Sequence, residues 1–261
     1  MTSQLKQLLH ARQRTLGSWI TFPSEPIVEI MARAGFEWLA LDLEHAPISI
    51  ADAARLIRII DLAGLPALCR LPSNDPVVAK RVLEAGAAGI IVPSIESAEE
   101  AQRAVEAAYY PPRGRRGVGL SRAQGYGQSF ETYRAGLEEC MVVVAMIETA
   151  AGVQAADAIA ETPGIDAVII GPYDLSASLG HVGQLEHPAV TNACATVSQA
   201  AKVAGVSSGL HIVHYNDAAL GAAVDAGHTF LALGVDMLFL GDAVSGALRS
   251  ATAYLAARAA G

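Results

Sequence analysis

The sequence predicts a single (β/α)8 barrel. Short apolar runs recur eight times along 261 residues, and helical patterns lie between them. No linker or low-complexity segment divides the chain. A hydrophobic content of 52% against 17% charged residues calls for one large core under a modest polar surface.

The runs fall at 17–22, 38–43, 67–71, 89–95, 142–147, 167–170, 207–213 and 229–233. They do not alternate cleanly with polar residues, so they read as parallel strands buried on both faces. Between the second and third runs, Ala53, Leu56, Ile57 and Ile60 keep helical spacing, with Asp52, Arg55, Arg58 and Asp61 on the wet side. Ser97 and Glu100 form a capping-box pattern before another helix, and Gly64, Gly86 and Gly205 stand where helices stop. A doubly wound open sheet is the alternative. It requires a glycine-rich turn after the first strand, where Thr21-Phe22-Pro23-Ser24 stands instead. The long stretch 109–126, rich in Gly, Arg and Pro, is expected to cover the active face.

A net charge of -8 argues against nucleic acid or an anionic membrane as principal partner, and leaves an anionic small molecule open. Cys69, Cys140 and Cys194 are odd in number and lack metal-ligand spacing, so they read as buried thiols in a reducing compartment. No apolar run approaches the roughly 18–20 residues of a membrane span. Residues 1–14 carry Lys6, Arg12 and Arg14 without the apolar block of a secretory signal. A cytoplasmic location is expected.

In a barrel, reactive side chains belong at the C-terminal ends of strands. Those ends carry Trp19, then Asp42, Glu44 and His45, then Arg70, Glu148 and Asp174. A carboxylate at the end of a buried, otherwise uncharged strand is costly unless something pairs with it. If the fifth and sixth strands are neighbours, roughly 5 Å apart, Glu148 and Asp174 converge on one spot suited to a hard divalent cation. Blander uses remain open for each residue. His45 can be a surface histidine, Arg70 a structural counter-ion to Asp42 or Glu44, and Glu148 and Asp174 helix caps.

The lysines decide against an imine mechanism. Lys6, Lys80 and Lys202 all lie away from strand ends, so a metal must hold the electrons in any carbanion chemistry. Gly234-Val235-Asp236 and Gly241-Asp242-Ala243 fall near the usual phosphate site of barrels, but their aspartates repel phosphate. His211 and His214, around the seventh strand end, read as loop residues.

These residues, in this order, resemble the HpcH/HpaI aldolase family of class II pyruvate aldolases. The motifs are Asp42-Leu43-Glu44-His45-Ala46-Pro47, Arg70-Leu71-Pro72 and Gly86-Ala87-Ala88-Gly89-Ile90-Ile91-Val92-Pro93, followed by Tyr110-Pro111-Pro112-Arg113-Gly114, Ile147-Glu148-Thr149 and Gly171-Pro172-Tyr173-Asp174-Leu175-Ser176. The resemblance spans nearly the whole chain. It implies reversible cleavage of 4-hydroxy-2-oxo acids to pyruvate and an aldehyde, with Mg2+ or Mn2+, or Co2+, held by Glu148 and Asp174. It implies His45 as base and Arg70 as oxyanion stabiliser. Glu84 stands where relatives place an aspartate that pairs with the histidine, and Met146 where they commonly have glutamine. Gly171 and Tyr173 would hold the pyruvyl carboxylate through their backbone, while Pro172 has no N–H to offer. Trp19, Arg122 and Leu210 would line the aldehyde pocket. The family also implies a homohexamer, a dimer of trimers, whose last helix, at 251–260, is exchanged between subunits. A citrate-lyase-type enzyme acting on acyl-CoA is the rival, with Arg113, Arg115 and Arg116 as its nucleotide surface. An inactive barrel serving as a binding protein is a further alternative.

Overall fold

The computed structural model describes residues 4–259. A short helix α1 (Gln4–His10) precedes β1 (Thr15–Ile20), α2 (Glu25–Ala32), β2 (Trp38–Asp42), α3 (Ile50–Leu62), β3 (Ala67–Arg70), α4 (Pro76–Ala85), β4 (Gly89–Val92) and α5 (Ala98–Ala108). A 3-10 turn (Arg122–Gln124) leads to α6 (Phe130–Cys140), β5 (Val142–Ile147), α7 (Ala150–Gln154), α8 (Ala156–Ala160), β6 (Ala167–Ile170) and α9 (Pro172–Ser178). Last come α10 (Pro188–Ala204), β7 (Ser207–Ile212), α11 (Asp217–Asp225), β8 (Phe230–Val235) and α12 (Asp236–Ala259). The strands pair in sequence order, all parallel, and β8 returns to β1, closing the barrel. The expected eight-stranded closure is what the chain adopts.

Strand ends shift by a few residues for local reasons. β4 stops at Val92 because Pro93 has no N–H for the ladder and Ser94 turns left-handed at φ 51°. β1 stops at Ile20 because the amides of Thr21 and Phe22 donate to the buried Asp236 carboxylate instead. That carboxylate, which argued against phosphate, ties the β1 exit to the end of β8. Ser97 caps α5 through the Glu100 amide, but the Glu100 carboxylate accepts from Glu96 N–H, so the capping box stays half closed.

Inside the barrel, side chains fill the bore. Trp38 stacks on Phe230 with ring centroids 4.3 Å apart. Gly17 makes room for this: a Cβ there would lie 2.0 Å from the Trp38 ring. α1 plugs the base with Leu5 and Leu9. Lys6 is no surface lysine. Its ammonium is enclosed, donating to the Tyr109 hydroxyl at 2.9 Å and the Met141 carbonyl at 2.7 Å, and it pairs with Asp166 at 3.1 Å. A second apolar layer, between strands and helices, buries Leu39, Leu41, Ile90 and Val143 against α3, α4, α5 and α10.

The stretch 109–126 does not cover the active face. It follows α5, and helices of a (β/α)8 barrel run back from the strand C-termini, so the loop begins at the far end. There Gln124 donates to the Tyr110 hydroxyl at 2.8 Å and the buried Arg116 to the Tyr133 hydroxyl at 2.9 Å. α12 behaves unlike the other helices. Only Asp236 of its 24 residues is buried, and Leu240, Val244, Leu248, Tyr254 and Leu255 stand exposed. Ala260, the end of the expected last helix, lies outside the described residues. Among the described residues, no helix is long and apolar enough to cross a membrane.

Candidate active site

Alternation along the strands points Trp19, Asp42, Arg70, Met146 and His211 into the bore at its C-terminal end. There they border a cavity of about 340 Å³, lined by Trp19, His45, Arg70, Met146, Gly171, Pro172, Tyr173, Asp174 and His211 among others.

Arg70 is held from one side. The ladder sets Asp42 beside Arg70, and Asp42 Oδ1 accepts from Arg70 Nε at 3.0 Å while Oδ2 takes Nη2. The same Oδ1 accepts the backbone N–H groups of Glu44 and His45, at 3.0 and 3.1 Å, which fixes the start of the loop. Burial alone would push the Asp42 carboxyl up. The Arg70 guanidinium and the two amides outweigh it and hold the group below the usual carboxylate range. Arg70 thus is the structural counter-ion of Asp42, and its Nη1 still faces the site. That nitrogen lies 3.4 Å from Glu44 Oε2 and 4.0 Å from Met146 Sδ, and the guanidinium sits 4.8 Å over the Trp19 ring.

Glu148 follows β5 and is buried. Its Oε1 accepts from Ser94 N–H at 2.8 Å and Ser94 Oγ at 3.0 Å, while Oε2 is enclosed without a hydrogen-bond partner. Burial raises its carboxyl above the ordinary range; Ser94 opposes this and the nearby Asp174 charge adds to it. Gly171 permits this placement, since a Cβ there would lie 2.5 Å from Glu148 Oε2. Asp174 stands exposed in the first turn of α9, which Pro172 opens. Glu44 is likewise raised by burial, and its Oε2 also has no hydrogen bond.

A divalent cation fits this donor set. An enclosed, unspent carboxylate oxygen on Glu148 faces toward the glycine turn that leads to Asp174, and both offer hard oxygen ligands. Among the described residues no group of three or more His, Cys, Asp or Glu is arranged around a metal position.

Four sequence expectations are corrected. Glu84 lies in the last turn of α4, beside Gly119, at the end of the helix away from the cavity. It does not meet His45 of its own chain; the carboxylate nearest that imidazole is Glu44, 3.7 Å from Nε2. Arg122 is also remote, with its guanidinium on the Ala85 carbonyl at 3.2 Å and on Asp61. Leu210 faces outward to the helix layer, because Gly209 and His211 take the inward positions of β7. The Gly171 N–H is already spent on the Ile147 carbonyl at 3.3 Å, which leaves the first-turn amides of α9, those of Tyr173 and Asp174, as the donors there.

His211 is the residue that sequence reasoning missed. It belongs to β7, not to a loop, and its ring lies against Trp19 with centroids 5.8 Å apart. Its signal was present: it is two residues from Gly209 within one apolar run, hence on the same inward face.

The model of the HpcH/HpaI aldolase/citrate lyase family matches residues 15–243. A hydroxypyruvate/pyruvate aldolase of Paraburkholderia phytofirmans is 38% identical over 246 residues, covering 92% of this chain and 94% of that one. A 5-keto-4-deoxy-D-glucarate aldolase of Salmonella paratyphi C is 35% identical over 254 residues, covering 97% and 95%. Among solved structures, a family protein from Burkholderia cenocepacia superposes with a TM-score of 0.91 at 36% identity, covering 96% of this chain and all of that one. With its motifs, its closed barrel and matches over nearly its full length, the chain belongs to the HpcH/HpaI aldolase/citrate lyase family.

Proposed function

We propose that this mouth carries a class II pyruvate aldolase, which cleaves 4-hydroxy-2-oxo acids to pyruvate and an aldehyde and joins them in reverse. The observation that carries the reading is the pairing of a clamped guanidinium with an unspent buried carboxylate oxygen, Arg70 held by Asp42 and Glu148 Oε2 without a hydrogen-bond partner. Both relatives named above are aldolases, one of them acting on pyruvate by name. A divalent cation on Glu148 and Asp174, Mg2+ or Mn2+ by ligand hardness and Co2+ as a further candidate, supplies Lewis acidity toward the 2-keto acid when bound.

The chain's own groups do the rest. His45, solvent-facing at the rim, takes the proton of the 4-hydroxyl in cleavage and returns it in synthesis. As the bond breaks, charge gathers on the former keto oxygen, and Arg70 Nη1 is placed to stabilise it. The clamp by Asp42 keeps the guanidinium from swinging away, so it is oriented before substrate arrives. The Tyr173 N–H offers a donor for the substrate carboxylate. Met146 and the Trp19 ring give the cavity an apolar side, and His211 lies beside Trp19.

An acyl-CoA substrate is disfavoured by the arginines that would have to bind it. Arg113 pairs with Glu138 and stacks 3.9 Å over Tyr109, Arg115 pairs with Glu106 at 3.0 Å, and Arg116 is buried. The exposed apolar side chains of α12 support the expected exchange of the last helix in a homohexamer. Glu84 and Arg122 can serve a mouth only in a second copy of the chain. The test is aldol addition of pyruvate to a panel of aldehydes with Mn2+ or with chelator. Product formed only with metal supports the reading, and equal turnover in chelator overturns it.

A further inference from the structure

Nothing in the chemistry above uses His211, yet its ring is a built part of the cavity wall. Its Nε2 lies 2.9 Å from the Gly234 carbonyl. A carbonyl oxygen only accepts, so Nε2 carries the hydrogen. Burial holds the imidazole neutral down to about pH 4, with the Arg70 charge adding to the effect and the Gly234 bond opposing it. One proton on a neutral ring leaves Nδ1 as a lone-pair acceptor. Among the described residues Nδ1 has no partner, and it is not one of the sealed-off polar atoms, so it opens to the cavity. Beside it stands Trp19, 3% exposed, whose Nε1–H is enclosed and so offers nothing to a ligand. The wall thus presents one unspent acceptor, His211 Nδ1, backed by the Trp19 ring.

We propose that His211 is a specificity-determining residue that accepts a hydrogen bond from an alcohol hydroxyl on a substrate carbon next to the reacting carbonyl. The reaction partner it favours is hydroxylated: a 2-hydroxyaldehyde as acceptor, or a 3-hydroxy-2-oxo acid as donor. An alcohol matches this wall because it can donate to Nδ1, whereas a bare methyl leaves that acceptor unpaired. A carboxylate does not match, having no hydrogen to give Nδ1. The inference rests on the aldolase reading and deepens it.

Two competition series separate the sources of the hydroxyl. One sets glycolaldehyde against acetaldehyde with pyruvate as donor; the other sets hydroxypyruvate against pyruvate with a single aldehyde. In each, the ratio of kcat/KM is compared among wild type, His211→Leu and His211→Gln, with circular dichroism confirming the fold. Wild type should prefer the hydroxylated partner in at least one series. His211→Leu should cut that ratio on the order of tenfold, the value of one hydrogen bond with its unpaired penalty. His211→Gln, which keeps an acceptor, should restore part of it. The series in which the ratio falls identifies donor or acceptor as the source. Turnover with unchanged ratios in both series overturns the role of His211 alone. No turnover by folded wild type with any pair overturns the aldolase reading, and this inference falls with it.

Discussion

Gly171→Ala tests the metal position without touching a ligand. A Cβ at Gly171 lies 2.5 Å from Glu148 Oε2 and 2.9 Å from Glu148 Cβ, where ordinary contact begins at 3.4 Å. The carboxylate must therefore retreat by roughly 1 Å, or the β6 turn must give by as much. Glu148 cannot retreat freely, because Oε1 is fixed by two bonds of 2.8 and 3.0 Å to Ser94. Lengthening both by that amount breaks them. Overpacking of this kind costs about 1–3 kcal/mol of stability. Misplacing a ligand through its support typically costs about 10–100-fold in metal affinity. Titration of Mn2+ by calorimetry into wild type and variant reads the second number, and thermal denaturation reads the first. A folded Gly171→Ala protein with wild-type Mn2+ affinity would refute the assignment of Glu148 Oε2 to the metal.

Three further outcomes follow from the same geometry. Asp42→Asn strips the half-buried Arg70 of the carboxylate that clamps it and leaves Glu44 at 3.4 Å, so it should destabilise near neutrality by less than the about 3–5 kcal/mol of a fully buried broken pair. Because the folded pKa of Asp42 is lowered, its contribution is present above the unfolded value near 3.9 and is lost as pH falls through the folded value, so the melting curves of variant and wild type should converge only at strongly acid pH. Arg70→Ala should lose on the order of 10²–10³ in kcat, and Arg70→Lys should also suffer, since an ammonium reproduces neither the fork on Asp42 nor the free Nη1; a raised KM with unchanged kcat would reduce Arg70 to substrate binding. Protons compete for Glu148 above the ordinary carboxylate range, so Mn2+ affinity should begin to fall there as pH drops, and Asp174→Asn should weaken binding while moving that fall to lower pH; pH-independent affinity down to the usual carboxylate range would count against it.

The barrel was legible because its signals are local and repeated. The run Val142–Ile147 became β5 residue for residue, and Ser49 with Asp52 closes a capping box at the start of α3. Strand-end chemistry was legible for the same reason: Asp42, Arg70 and Glu148 needed only strand parity and the direction of the chain. The misreadings arose where position depends on the whole architecture. The stretch 109–126 reads as a cover for the active face from its length and composition alone, whereas its place after α5 sets it, with Arg122, at the far end of the barrel. Glu84 was set beside His45 by resemblance, whereas the helix that carries it runs away from the mouth. Leu210 is expected in the aldehyde pocket and His211 in a loop, whereas both belong to β7, whose alternation turns His211 to the cavity and Leu210 to the helices.

Metal-supported formation of a pyruvate enolate is the step on which the proposed aldolase activity depends. The direct measurement is exchange of the pyruvate methyl hydrogens for deuterium in heavy water, followed by proton NMR with no aldehyde present. Wild type with Mg2+ should exchange them, and chelator, Glu148→Ala and Asp174→Ala should each stop the exchange. Exchange that continues undiminished in chelator, or that never occurs with metal present, would contradict it.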